Sequence, residues 1–85
     1  MRGEWREPVA IRLEQEDVYR VVSDTHEASE VLLYRWPIDD GHALNTAKRI
    51  CLSVLEGDGD SCEARKAFIA AAEEAELTMH PIHRP

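Results

Sequence analysis

Residues 42–77 constrain the fold most, because two patterns typical of amphipathic helices flank one short turn that contains glycine. In each pattern apolar residues recur at steps of three and four, as on one face of a helix with about 3.6 residues per turn. They are Ala43, Leu44, Ala47, Ile50, Cys51, Val54 and Leu55 in the first helix, and Ala64, Phe68, Ala71, Ala72 and Ala75 in the second. The segment therefore predicts a helical hairpin in which alanines allow close packing and Phe68 supplies the main apolar contact.

The turn between these helices carries signals of its own. Gly57 follows the last apolar pair of the first helix, where a left-handed residue often ends a helix and glycine adopts that conformation without strain. Asp60 or Ser61 can then cap the second helix by accepting a hydrogen bond from a backbone N–H. Glu63 stands three residues after Asp60, which is close to a capping box.

A β-hairpin is predicted before these helices. Its first strand has the alternating apolar residues Val9, Ile11 and Leu13. Alternation with β-branched residues is typical of a half-buried strand. Residues 18–22 form the second strand after a polar turn at residues 15–17. Either face of this second strand can point inward, and we favour Tyr19 and Val21 as its core residues.

Another helix is predicted directly after the second strand. Asp24, with Glu27 three residues later, is the best capping-box pair for its start. Pro37 ends the helix near Tyr34, because the residue before a proline avoids helical angles. The apolar side of this helix consists of Ala28, Val31 and Leu32.

The end of the chain completes the predicted fold. Residues 77–79 alternate in polarity and predict a third strand beside the first two, whereas residues 80–85 are broken by prolines and predict a mobile tail. We expect an α+β fold in the order β-β-α-α-α-β, with three helices on one face of a small antiparallel sheet. The sheet consists of the β-hairpin and the C-terminal strand, and residues 1–79 form one compact domain.

Charge and hydropathy limit the partners and the location that we expect. The 85 residues include 10 Lys and Arg against 17 Asp and Glu, a net charge of −7. Such a surface repels phosphates and anionic lipids, so neither nucleic acid nor a membrane is an expected partner. The first residues lack the apolar core of a signal peptide, and we expect a cytoplasmic protein. A chain this short buries a small core, which makes a homodimer a further possibility.

Cys51 and Cys62 are the two cysteines of the chain. Cys51 lies in the apolar stripe of its helix, where a free cysteine behaves as a small hydrophobic residue. Cys62 lies in the first turn of the last helix, a position that can make a thiol reactive. With two cysteines and no export signal, the sequence favours free thiols over a disulfide.

Anchor residues spread along most of the chain match the pattern of a known family. They are Trp5, Pro8, Val9, Ala28, Leu32, Trp36, Pro37, Gly41, Ala47, Cys51, Leu55, Gly57, Ala64, Arg65, Ala67, Phe68, Ile69, Ala71, Ala72, Glu74 and Ala75. By their spacing, residues 5–79 resemble domain of unknown function 982, a family of short alphaproteobacterial proteins. The resemblance implies no activity, cofactor or catalytic residue.

Two motifs that suggest metal ions have simpler interpretations. Residues 58–61 resemble part of a calcium loop, but an EF-hand needs glycine at its sixth position and glutamate at its twelfth. This chain has Glu63 and Ile69 there, so a capped turn is favoured. His80 and His83 have the spacing of metal ligands, but the proline between them favours surface histidines.

A third motif suggests an anion site. Arg65 and Lys66 follow the start of the last helix, where unpaired N–H groups can bind anions. Asp58, Asp60 and Glu63 lie close in sequence and would repel a phosphate. We therefore expect Arg65 to pair with these acids instead.

The loop after the first helix is the candidate interaction surface. It consists of Tyr34, Trp36, Pro37, Ile38, Asp39 and Asp40. Tryptophan and tyrosine anchor many protein interfaces. The alternative, which the short chain favours, is that Trp36 folds back over the core.

These observations lead to an expectation about function. The sequence shows no nucleophile–base pair, so we expect a non-enzymatic module that binds another protein or itself. The alternative is a small-molecule or metal-binding sensor that uses Cys62, His42 or the tail histidines. No catalytic residue, cofactor site or metal site is predicted.

Overall fold

The computed structural model describes residues 3–13 and 19–81 and confirms the predicted order of elements. The elements are β1 (Glu4–Arg12), β2 (Tyr19–Asp24), α1 (Thr25–Tyr34), α2 (His42–Leu55), α3 (Ser61–Glu74) and β3 (Thr78–Pro81). The predicted turn at residues 15–17, Val18 and the last four residues of the predicted tail lie outside the described residues.

The sheet is antiparallel, with strand order β2-β1-β3, so β1 is its central strand. The predicted third strand is confirmed, since Ile11 pairs with Met79 and Ala10 with His80. It continues to Pro81, however, so the predicted start of the tail at His80 is wrong. Pairing with β1 satisfies backbone groups that a free tail would leave to water.

The predicted inward face of β2 is also wrong. Tyr19 and Val21 are both more than two-fifths exposed, whereas Val22 is fully buried. The reason is the register of the hairpin: residues directly opposite in an antiparallel pair share a face, and Val22 lies opposite the buried Val9. On the outer face, the hydroxyl of Tyr19 lies 3.3 Å from Nε2 of His80.

The core lies between the inner face of the sheet and the helices, as predicted. Phe68 of α3 is fully buried at its centre, with the rings of Trp5 and Trp36 each 5.6 Å away. Both tryptophans are therefore core residues. Further buried side chains include Val9, Ile11, Leu13, Val22, Ala28, Leu32, Leu44, Ala47, Cys51, Val54, Ala64, Ala71 and Ala72.

The predicted helix ends are confirmed. Asp24 Oδ1 accepts a hydrogen bond from Glu27 N at 2.8 Å and begins α1. Asp60 Oδ1 accepts one from Cys62 N, also at 2.8 Å, and begins α3. Gly57 has φ of 92°, the left-handed conformation expected after the end of α2.

A residue of α3 caps the start of α2. Glu74 Oε2 accepts a hydrogen bond from Ala43 N at 2.9 Å, and Oε1 accepts one from Leu44 N at 3.1 Å. The N-cap residue, Gly41, has no side chain for this role, and a Cβ there would overlap the Glu74 carboxylate. The cap thus ties the end of α3 to the start of α2 and orients α2 on the core.

Candidate interaction surfaces

The loop predicted as an interaction surface turns its tryptophan inward. Trp36 is 9% exposed and packs edge-on against Phe68, whereas Tyr34 is 78% exposed. Ile38 is exposed and Pro37 half-buried. Trp36 thus folds over the core, the alternative that the short chain favoured. The loop presents Tyr34 and Ile38 to solvent without this tryptophan, and its role in binding stays a prediction.

The two acids of this loop are exposed, and one of them has a structural role. Asp40 Oδ1 accepts hydrogen bonds from Gly41 N at 2.9 Å and from Asn45 Nδ2 at 3.1 Å. Asp40 thereby supports the first turn of α2. Asp39 is exposed beside it.

A more apolar surface lies between α1 and α2. Leu33 of α1 is 57% exposed and Leu52 of α2 is 58% exposed, although leucine is usually buried. Both line a groove of about 440 Å³, with the half-buried Leu55 beside them. We call this surface the leucine groove; its lining residues are Ser29, Leu33, Asn45, Lys48, Arg49, Leu52 and Leu55.

Helical spacing places these residues on a second stripe of each helix. On α2, Lys48 stands four residues before Leu52. Leu55, three residues after Leu52, belongs to the predicted core stripe, but it is half-buried and also lines the groove. On α1, Leu33 follows Ser29 by four residues. Since the main apolar stripe of each helix is buried in the core, the second stripe remains at the surface. The sequence contained this signal, because Leu33 and Leu52 fall outside the predicted core stripes.

The leucine groove also carries cations. Within the part of the chain that the structure describes, Lys48 and Arg49 form no ion pair. The cations of α3 differ, because Lys66 Nζ lies 3.8 Å from Glu63 Oε1 and Arg65 Nε donates a hydrogen bond to a carbonyl at 2.7 Å. That carbonyl belongs to residue 7 of β1, so the predicted pairing of Arg65 with acids of the turn is wrong.

The contact of Arg65 joins α3 to the sheet. Among the described residues, β3 pairs with residues 9–12 of β1. The Arg65 side chain donates to the Glu7 carbonyl, earlier in the same strand. This hydrogen bond satisfies a backbone carbonyl of β1 and attaches α3 to that strand.

Both cysteines are free thiols, as predicted. Cys51 is buried in the core, and burial raises the pKa of its thiol to about 11. Cys62 is exposed at the start of α3. Cys51 therefore stays protonated at neutral pH and acts as a packing residue.

His26 and His80 lie on different elements of the fold, α1 and β3. His80 lies on the outer face of the sheet beside Tyr19, and His26 Nδ1 lies 3.4 Å from Glu30 Oε1 on α1. Among residues 3–13 and 19–81, no three His, Cys, Asp or Glu side chains are grouped as a metal site requires. His83, the second predicted metal-spaced histidine, lies outside the described residues.

Comparison with known proteins identifies the family. A family model described as a protein of unknown function, DUF982, matches residues 7–79. The chain belongs to the DUF982 family. The resemblance found in the sequence is thereby confirmed over nearly the whole chain.

A solved structure supports the same fold for this DUF982 chain. The NMR structure of the Agrobacterium tumefaciens protein Atu1219 is 34% identical and matches with a TM-score of 0.73. The match covers 87% of this chain and 73% of Atu1219. No curated protein matches the chain. Among the described residues, no helix has both the length and the apolar character needed to span a bilayer.

Proposed function

We propose that this DUF982 domain is a non-enzymatic, cytoplasmic protein-binding module, and that its leucine groove receives an amphipathic helix of another protein. The observation that carries the proposal is the exposure of Leu33 and Leu52, both above one half, on the same groove. Full burial of a leucine side chain contributes about 1.5–3 kcal/mol. Covering both leucines would therefore favour association substantially.

The shape and chemistry of the groove support a helix as the occupant. Two helices, α1 and α2, form its walls, and apolar residues repeat along α2 at helical spacing. Helix-in-groove recognition uses apolar anchors at matching steps of three and four on the bound helix. The described residues that line the groove include no histidine, carboxylate or thiol, the groups that most often act as general acids and bases.

The outer face of the sheet is a weaker candidate. It also exposes apolar side chains, Tyr19 and Val21. However, Tyr19 already contacts His80 across the sheet, and the exposed Arg12 and Thr78 lie on the same face. An antiparallel sheet with one solvated face is common and requires no partner.

A second copy of this chain is a less suitable occupant. A two-fold contact centred on the groove would bring the Lys48 and Arg49 side chains of both copies together. Like charges that meet at an interface oppose association. We therefore favour a different protein, and native mass spectrometry over a range of concentrations tests for a dimer.

The proposal is tested with a labelled peptide that forms an amphipathic helix, with a leucine stripe and glutamine at its other exposed positions. Titration of ¹⁵N-labelled protein should shift the amide signals of Ser29, Leu33 and Leu52. The double variant Leu33→Asp/Leu52→Asp should weaken binding by about tenfold or more. Tyr34→Asp is the matched control, since Tyr34 is exposed on α1 but does not line the groove.

Two results would contradict the proposal. One is that the peptide shifts signals of the sheet face and leaves those of α1 and α2 unchanged. The other is that Tyr34→Asp weakens binding as much as the double leucine variant. If the protein forms a dimer and the double variant does not, the occupant of the groove is a second copy of this chain and not a helix of another protein.

A further inference from the structure

We infer that the helix received by the leucine groove is acidic, with carboxylates beside its leucine stripe that meet Lys48 and Arg49. The inference rests on the proposed function and adds the chemistry of the partner. The observation that supports the inference is that the groove is positively charged although the chain is acidic. The net charge is −7, yet the charged side chains that line the groove are both cations.

The two cations are available to a partner. Among the described residues neither Lys48 nor Arg49 forms an ion pair, whereas Arg65 and Lys66 of α3 both have partners within the chain. A cationic side chain without a partner gains most when a carboxylate of another molecule approaches. Arg49 can donate hydrogen bonds to both oxygens of one carboxylate, because its guanidinium presents paired N–H donors.

Their position along α2 places these charges beside the apolar part of the groove. Lys48 and Arg49 precede Leu52 by four and three residues, which is one helical turn. Both side chains line the groove, and Lys48 is half-buried. Such side chains bury their aliphatic stems on apolar surface and keep the charged end at the rim. A bound helix thus needs carboxylates about one turn from its leucines.

Two other anionic partners fit this surface less well. An anionic membrane would be repelled by the overall charge of the chain, and a flat bilayer does not fill a concave groove. A second copy would bring its own Lys48 and Arg49 to the contact, as argued above. An acidic helix satisfies both the shape and the charge of the groove.

The test compares three labelled peptides that share one leucine stripe and differ in the flanking residues: glutamate, glutamine or lysine. At low salt the glutamate peptide should bind about tenfold more tightly than the glutamine peptide, and added salt should reduce the difference. Lys48→Glu/Arg49→Glu should reverse the order, so that the lysine peptide binds best. Lys66→Glu on α3 is the control and should leave the order unchanged.

The outcomes separate this inference from the proposed function. Equal binding of the three peptides, abolished by Leu33→Asp/Leu52→Asp, would overturn the inference and leave the helix-binding function standing. Failure of all three peptides to bind would overturn both. Binding to vesicles of anionic phospholipid that depends on Lys48 and Arg49, without peptide binding, would overturn the inference in favour of a lipid surface. Circular dichroism of each variant confirms that it is folded.

Discussion

The carboxylate of Glu74 joins the end of α3 to the start of α2. It accepts hydrogen bonds from Ala43 N and Leu44 N, two of the N–H groups that a helix cannot satisfy within itself. Its negative charge also lies at the positive end of the α2 dipole. Gly41 supplies no side-chain cap, so Glu74 caps α2 in place of the serine or aspartate found at other helix starts.

Replacement of Glu74 by alanine should therefore destabilise the domain. We expect Glu74→Ala to lower the free energy of unfolding by about 1 kcal/mol, the usual effect of losing an N-cap. The measurement is urea denaturation followed by circular dichroism. Glu73→Ala is the matched control, since Glu73 is the preceding exposed residue of α3 and forms no such cap. Equal destabilisation by the two variants would contradict a capping role.

Gly41 and Glu74 should be coupled in the same assay. A Cβ at Gly41 would overlap the Glu74 carboxylate, so Gly41→Ala displaces the cap. We expect Gly41→Ala to cost less stability in the Glu74→Ala background than in the wild type, because part of its effect is loss of the same hydrogen bonds. Strictly additive effects would show that Gly41 matters only through its own backbone conformation.

Cys51 makes stability depend on pH in the alkaline range. Burial raises the pKa of its thiol from 9.0 to about 11, so the unfolded chain releases this proton at lower pH than the folded protein. The stabilising contribution is complete below pH 9 and is lost as the pH rises through 9 towards 11. Urea midpoints should fall less over this range in Cys51→Ala than in the wild type. Cys62→Ala is the control, because it removes a thiol and leaves the buried Cys51 in place.

At the scale of elements, α2 has two apolar surfaces with different roles. One is the buried stripe that includes Leu44 and Cys51, and the other is the exposed stripe that includes Leu52. The first is covered by the helices and strands of the same chain. The second lines the leucine groove, and its Leu52 is mostly exposed. One helix therefore both holds the fold together and presents the candidate binding surface.

Alanine substitutions in α2 should separate these roles. Leu44→Ala removes a fully buried side chain and should cost about 2–5 kcal/mol of stability. Leu52→Ala removes one that is mostly exposed and should change stability by no more than about 0.5 kcal/mol. Chemical denaturation measures both variants. A large loss of stability in Leu52→Ala would show that the groove is part of the core and would weaken the proposed function.

The elements differ in how far the sequence predicts them. The helical hairpin was predictable because α2 and α3 show their buried stripes in local spacing, and the Asp24 and Asp60 caps are local as well. The inward face of β2 was not, since it depends on pairing with β1 rather than on its own pattern. The Glu74 cap could not be predicted either, because it joins residues about thirty positions apart.

For the candidate surface too, some features were predictable from local sequence and others were not. Trp36 was expected to fold over the core because a short chain needs its large apolar residues, and it does. Leu33 and Leu52 were visible in the sequence as leucines outside the core stripes. That they line one groove depends on how α1 packs on α2, which local spacing does not determine.

At the scale of the whole molecule, one aromatic cluster connects the sheet to the helices. Phe68 of α3 contacts both Trp5 of β1 and Trp36 of the α1–α2 connection. Trp5 Nε1 also donates a hydrogen bond to Thr25 Oγ1 at the start of α1, at 3.1 Å. A domain of this size has a small core, so we expect the loss of these contacts to destabilise it.

This connection predicts that the sheet and the helices unfold together. In Trp5→Phe and Trp36→Phe the remaining tryptophan reports on its own contact with Phe68. Its fluorescence should change at the same urea concentration as the helical circular dichroism signal. Phe68→Ala should lower the free energy of unfolding by about 3–5 kcal/mol, because it leaves a cavity in the core where Phe68 contacts both indole rings. A tryptophan signal lost at lower urea than the helical signal would contradict a single cooperative core. In that event the region around that tryptophan would unfold first. The leucine groove on α1 and α2 would then remain folded after part of the core is lost.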